Sequence, residues 1–198
     1  MEQTGTELTV RKKVGNVKSK KQLTVLPTNQ LLQQIWDYLL TRKNKKGESK
    51  KLEHECLYLL CWKVGLRISE AIGFDLSLEH QQVEYKNLYL LRGKRDKERW
   101  VYVAPEIVKE LRKRDWKPNK TNRISFFDFL QVIKKEMNLS ANVELSPHTL
   151  RRCFATHQAI SGMPLPVLQK VLGHSKVSTT ALYIRDGDLG NLVRFRPV

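Results

Sequence analysis

Little in this sequence can be cross-linked, threaded through a bilayer or exported. Its three cysteines, Cys56, Cys61 and Cys153, are odd in number and lack a close pair. They supply no disulfide framework, and a reducing compartment fits best. His54 lies near Cys56 and Cys61, but the spacing is not that of a zinc module, so the thiols read as buried helix positions and no metal is expected. No apolar stretch approaches the roughly eighteen residues that span a bilayer. No basic start followed by an apolar run opens the chain, so no secretory leader is expected. Internal repeats are missing, as are low-complexity tracts beyond a basic start. Acidic residues are scarce: 20 Asp and Glu stand against 36 Lys and Arg, a formal net charge of +16. So large a surplus points to a polyanionic partner, nucleic acid first, because each neutralised phosphate releases condensed counterions. A basic membrane-surface binder is the plainer alternative.

What is present suffices for one domain with a sizeable core: 198 residues, 40% of them hydrophobic. Residues 1–22 are polar, with Arg11, Lys12 and Lys13 at the head of a basic cluster, and read as a flexible tail able to lie along a DNA backbone. Folding is expected from Leu26-Pro27-Thr28, with Thr28 as N-cap of a helix carrying Leu31, Leu32, Ile35, Trp36 and Leu39. After a charged loop from Arg42 to Lys51, a second helix sets Leu57, Leu60, Cys61 and Val64 on one stripe, and Gly65 ends it. From Phe74 to Val103 the period shifts towards two. Val83 and Tyr85, Leu88 and Leu90, then Trp100 and Tyr102 read as short strands, with Gly93-Lys94-Arg95-Asp96 as a hairpin tip. Helices follow at 105–114, about 125–137, 147–160, 165–172 and 178–184. Pro105 and Pro147 suit first turns, and Gly162 and Gly173 suit helix ends. The expected fold class is mainly α with a small antiparallel β-sheet (α+β).

Chemistry gathers in the last quarter. His148 and Arg151, three apart, share a helix face; His174 follows Gly173, and Tyr183 comes nine residues later. Guanidinium and imidazole groups bind phosphate oxygens, and a phenol can attack phosphorus. Arg67 lies upstream in Gly65-Leu66-Arg67-Ile68-Ser69-Glu70, where Leu66 and Ile68 anchor the chain so that the arginine faces a cleft. The plain alternative is an Arg67–Glu70 helix pair worth a few tenths of a kcal/mol. Lys94 stands in Gly93-Lys94-Arg95-Asp96-Lys97-Glu98-Arg99, where Arg95 and Lys97 compete with it as hairpin cations.

These strings, Pro147-His148-Thr149-Leu150-Arg151 and Leu172-Gly173-His174 above all, resemble the tyrosine recombinase (phage integrase) family across residues 23–185. The resemblance implies the catalytic-domain fold of that family, with 186–198 as a C-terminal tail. It implies a site-specific recombinase that cuts and rejoins DNA without metal or other cofactor. Arg67 and Arg151 would clamp the scissile phosphate and His174 would hydrogen-bond it. His148 would take or relay a proton, Lys94 would protonate the leaving 5′ oxygen, and Tyr183 would form a 3′-phosphotyrosyl bond. Arg11, Lys12, Lys13, Arg95 and Lys97 are the expected DNA-backbone contacts.

Against that family pattern, a basic tail stands where relatives carry a core-binding domain, and the segment from Trp116 to Ser125 is short. Glycines and acids follow Tyr183 where relatives often exchange a helix. The expected partners are double-stranded DNA, further copies of the chain assembled on it, and an accessory protein or second recombinase, with no membrane. A cytoplasmic protein of prokaryotic, phage or plasmid origin is expected, an organelle being the other setting. Two rivals share the pattern: a type IB topoisomerase-like strand transferase and a catalytically inactive DNA-binding regulator. His54, His80 and His157 read as structural or surface groups. Tyr38, Tyr58, Tyr85, Tyr89 and Tyr102 read as core, and Trp100 and Trp116 as packing. The helix 106–114 presents Lys109, Arg112, Lys113 and Arg114 as further phosphate contacts or as a solvated face.

Overall fold

The computed structural model describes residues 25–42, 52–92 and 98–174. Helix α1 (Asn29–Thr41) starts where Thr28 predicts, its side-chain oxygen accepting from the Leu31 N–H at 3.1 Å. Leu32, Ile35, Trp36 and Leu39 form its buried face. Helix α2 (Leu52–Lys63) departs from the one-stripe expectation, because every residue from His54 to Trp62 is buried. It packs against α3 (Ile68–Ile72), α4 (Pro105–Lys113), α5 (Arg123–Glu136) and α6 (Pro147–Ile160), so over that stretch no side is left for solvent, and Lys63 at its end is exposed. Its polar groups are buried with partners. Tyr58 Oη donates to the Leu32 carbonyl at 2.8 Å, and Trp62 Nε1 to Asn29 Oδ1 at 3.0 Å. His54 Nε2 meets Thr121 Oγ1 at 2.9 Å.

Only two of the three expected strands form among the described residues. Strands β1 (Leu88–Arg92) and β2 (Glu98–Tyr102) pair antiparallel, from Leu88 opposite Tyr102 to Arg92 opposite Glu98. Val83–Tyr85 is instead a 3-10 turn with Val83 87% exposed. Asn87 at φ +67° then swings the chain directly into β1, which leaves that turn outside the ladder. The sheet also buries the opposite face from the aromatic one. Tyr89, Leu91 and Val101 point into the core, while Trp100 and Tyr102 are exposed. With a side-chain period of two, choosing the other face exchanges every inward residue for an outward one. Tyr85, Trp100 and Tyr102 are therefore surface residues, and the His80 ring sits against Tyr85 and Trp100 at 5.0 and 4.8 Å.

The later helices follow their caps. Asn122 Oδ1 accepts from Ser125 N at 2.9 Å, which starts α5 two residues before the expected Ser125. Ser146 Oγ accepts from Thr149 N at 3.1 Å and Pro147 opens α6. The loop entering α6 is held by α5: Gln131 Nε2 donates to the Leu145 carbonyl at 2.7 Å and Lys134 Nζ to that of Val143 at 2.5 Å. Helix α7 (Leu165–Leu172) packs on α6 through Phe154, Ala155, Leu168 and Leu172, and stops at Gly173, φ +62°. Arg114 is not a phosphate contact. It is buried behind α4, where Nε donates to Glu55 of α2 at 2.8 Å and Nη1 bonds Glu110. Cys56, Cys61 and Cys153 are free and buried. Among the described residues no helix is long and apolar enough to cross a membrane. The expected hairpin tip and the expected helix 178–184 lie outside those residues.

Candidate active site

Three chain segments distant in sequence meet at the ends of α3, α6 and α7. Gly65, at φ +73°, turns the chain out of α2 so closely under α6 that a Cβ there would stand 2.2 Å from the Phe154 ring. Leu66 is fully buried and fixes the next residue, Arg67, as the N-cap of α3. The Arg67 N–H donates to Glu70 Oε2 at 2.9 Å and Nη1 to Glu70 Oε1 at 2.8 Å, so the helix pair legible in the sequence does form. The same guanidinium reaches across the fold, Nη2 donating to the Gly173 carbonyl at 2.9 Å. Its side chain stays 41% exposed.

Arg151, on α6, is 3% exposed. Its Nη1 donates to the Gly65 carbonyl at 2.7 Å and its Nη2 to the Leu172 carbonyl at 2.5 Å. Nη2 also lies 3.3 Å from His174 Nε2. An arginine only donates, so Nε2 accepts and the neutral ring carries its proton on Nδ1. Burial, followed by the charges of Arg151, Arg67 and Arg99, lowers the His174 imidazole from 6.5 to about 4. The ring is thus neutral at physiological pH. His148 stands exposed in the first turn of α6, one turn ahead of Arg151. Its pKa is also lowered, by partial burial first and then by Arg152, with Glu144 opposing.

Beneath these groups lies Glu70, 7% exposed, which the sequence offered only as a helix partner. Arg99 of β2 grips it with Nη1 on Oε1 at 2.7 Å and Nη2 on Oε2 at 2.9 Å, and Arg151 Nη1 lies 3.7 Å from Oε2. Burial raises the carboxyl pKa, but the hydrogen bonds and charges of Arg99, joined by those of Arg67, outweigh it and take it down to about 2. Three guanidiniums around one carboxylate leave two positive charges to act outward. With a neutral imidazole beside them, these groups have the charge and donors that suit the oxygens of an anion.

Of the expected site residues, Arg67, Arg151 and His174 are brought together, with His148 one helical turn away. Lys94, Tyr183, Arg11, Lys12, Lys13, Arg95 and Lys97 lie outside the described residues. The depression along α5, about 600 Å³ and lined by Asn122, Ile124, Asp128 and Val132 among others, shares no residue with this cluster. Among the described residues no group of three or more His, Cys, Asp or Glu is placed to hold a metal ion. Sequence reading missed Glu70 and Arg99 as members of the site. The one local signal was the string ending Lys97-Glu98-Arg99, in which Lys94, Arg95 and Lys97 were weighed and Arg99 was not.

The sequence profile described as the phage integrase family matches residues 25–188. Tyrosine recombinase XerD of Lacticaseibacillus casei is 33% identical over 150 residues, covering 67% of this chain and 50% of that protein. Tyrosine recombinase XerA of Pyrococcus furiosus is 28% identical over 148 residues, covering 68% and 51%. The chain thus spans about half the length of the curated relatives it matches. Among solved structures, XerA recombinase aligns with a TM-score of 0.69 at 19% identity, covering 89% of this chain and 66% of that one. XerH site-specific recombinase bound to palindromic difH substrate, a post-cleavage complex, gives 0.67 at 18%, covering 87% and 52%. The catalytic domain of bacteriophage HP1 integrase gives 0.56 at 20%, covering 88% and 96%. These structural likenesses show the fold.

Proposed function

The chain belongs to the phage integrase family, and from that premise we propose that it is a site-specific DNA recombinase acting through a covalent 3′-phosphotyrosyl intermediate. The observation that carries the reading is the convergence of Arg67 at the start of α3, Arg151 in the second turn of α6 and His174 just past α7 around one buried carboxylate. A phosphodiester passing to a pentavalent state gains negative charge on its non-bridging oxygens, and fixed cations in a partly dry site stabilise that charge most. Arg67 and Arg151 take those oxygens. His174 adds a hydrogen bond, and the arriving anion raises the ring's affinity for a proton.

In the proposed reaction the Tyr183 Oη attacks phosphorus and loses its proton to His148. The bond to the 5′ oxygen breaks, and that oxygen takes a proton from Lys94. A 3′-phosphotyrosine and a free 5′ hydroxyl result. Attack by a 5′ hydroxyl from another strand runs the steps backwards, and the phosphoester bond is conserved throughout, so no nucleotide is consumed. The positive charge comes from the protein's own side chains, and the scheme uses no cofactor. Arg11, Lys12, Lys13, Arg95 and Lys97 are proposed to follow the DNA backbone, and further copies of the chain to assemble on paired sites with an accessory protein or second recombinase. The proposed setting is cytoplasmic, with 23–185 as the catalytic domain between the basic tail and residues 186–198.

The test uses a pool of nicked duplexes with randomised arms, whose nick lets the 5′ fragment escape and traps the adduct. Wild type should give a denaturant-resistant protein–DNA species, and Tyr183→Phe should give none while still binding the duplex. No adduct from the whole pool would sink the reading. Relaxation of supercoiled plasmid without paired sites would replace recombination with a topoisomerase-like activity.

A further inference from the structure

We propose that Arg99 is a positioning residue that keeps the phosphate-facing arginines available by saturating Glu70; the inference rests on the recombinase reading above. A carboxylate has about four lone-pair sites. In Glu70 all four are taken: Oε1 accepts from Arg99 Nη1 and Arg67 Nη1, and Oε2 from Arg99 Nη2 and the Arg67 backbone N–H. Arg99 therefore holds the two-pronged seat on Glu70, the strongest one a guanidinium can take. Arg67 is left with a single side-chain bond to Glu70, and Arg151 stands off at 3.7 Å. The Arg67 side chain, 41% exposed, can turn its remaining N–H groups to an incoming anion.

Arg99 makes a second attachment. Its Nε donates to the Val171 carbonyl at 3.1 Å, one of the carbonyls that α7 leaves without an intrahelical partner at its C-terminus. Gly173 lies directly against it, where an added Cβ would come within 3.0 Å of the guanidinium carbon. The side chain is 15% exposed, so it serves the fold's inner side while Arg67 faces out. Arg99 thus joins Arg67 in tying the carboxylate to the helix end that carries His174, and does so from the buried side. Arg99 touches no substrate in this scheme.

Take Arg99 away and Glu70 keeps its charge with two seats vacant. The nearest guanidinium able to fill them is that of Arg67, followed by Arg151, and either move turns a phosphate ligand inward. Arg99→Gln should then slow adduct formation on the nicked-duplex pool by about 30-fold or more while duplex affinity changes less than about threefold. Arg99→Lys, a point charge without the fork, should recover little of the rate. Adding Glu70→Gln to Arg99→Gln removes the charge that draws Arg67 inward, and should restore the rate about tenfold over Arg99→Gln alone. A merely structural ion pair predicts no such restoration.

A crystal structure of Arg99→Gln, or of Arg99→Lys should the first variant not fold, supplies a readout independent of activity. Arg67 or Arg151 should be found paired two-pronged with Glu70. Unmoved arginines overturn the proposal, as does a double variant no faster than Arg99→Gln. Failure of wild type to form any adduct counts against the recombinase reading instead, and leaves the crystallographic outcome to decide the role of Arg99.

Discussion

Burial and three neighbouring guanidiniums keep the His174 ring neutral, and that sets a pH dependence of definite sign. Its folded pKa is about 4 against an ordinary 6.5. The unfolded chain therefore binds the extra proton first as pH falls, and stability is present in full above 6.5 and lost progressively down to 4. Glu70, at about 2, remains ionised throughout that window. A phosphate beside the ring works the other way, so duplex affinity should rise on acidification between pH 6.5 and 4. His174→Gln should flatten both trends, read by thermal unfolding and fluorescence anisotropy; a persisting affinity rise would place the proton elsewhere, His148 first. Gly65 makes a second residue-scale case. Alanine there meets both the left-handed backbone and the Phe154 ring at 2.2 Å. The expected loss is about 2–4 kcal/mol, combining backbone strain with overpacking, measured by urea unfolding. Adduct yield should fall as well, since the Gly65 carbonyl holds Arg151.

At the level of elements, α4 is lashed to α2 through the buried Arg114–Glu55 pair, whose side chains are 6% and 4% exposed. Arg114→Gln takes the guanidinium from a buried carboxylate and should cost about 3–5 kcal/mol. The apolar double change Glu55→Leu with Arg114→Met should recover most of it. A double variant no more stable than the single would mean that the pair is coupled to something else. Ser146→Ala, which strips the α6 cap ahead of His148, should cost about 1 kcal/mol. The elements themselves were mostly legible because their signals are local: Thr28, Pro147 and Gly173 act within a turn of where they stand. The sheet was misread because local alternation does not say which face will be covered. Trp100 and Tyr102 look more like core than Val101, yet Phe74 packs against Tyr89 on the opposite side. Glu70 and Arg99 were missed for a related reason: their bond joins positions 29 apart and has no periodicity to reveal it.

For the molecule as a whole, the net charge of +16 predicts a steep salt dependence of DNA binding. Each neutralised phosphate contributes about −0.9 to the slope of log affinity against log salt, so about five contacts or more give a slope of about −4.5 or steeper. A slope shallower than about −2 would show that the surplus charge serves something other than a DNA backbone. The small fold holds together around one helix. Encased from His54 to Trp62, α2 has no outward face over that stretch on which substitutions accumulate harmlessly. A lineage carrying this domain can drift freely on the outer faces of α4 and α5, but a new volume at Leu57 or Leu60 is felt by several neighbours at once. Change at α2 should come in compensating sets, and covariation across the family should be densest there, well away from the residues that meet the phosphate.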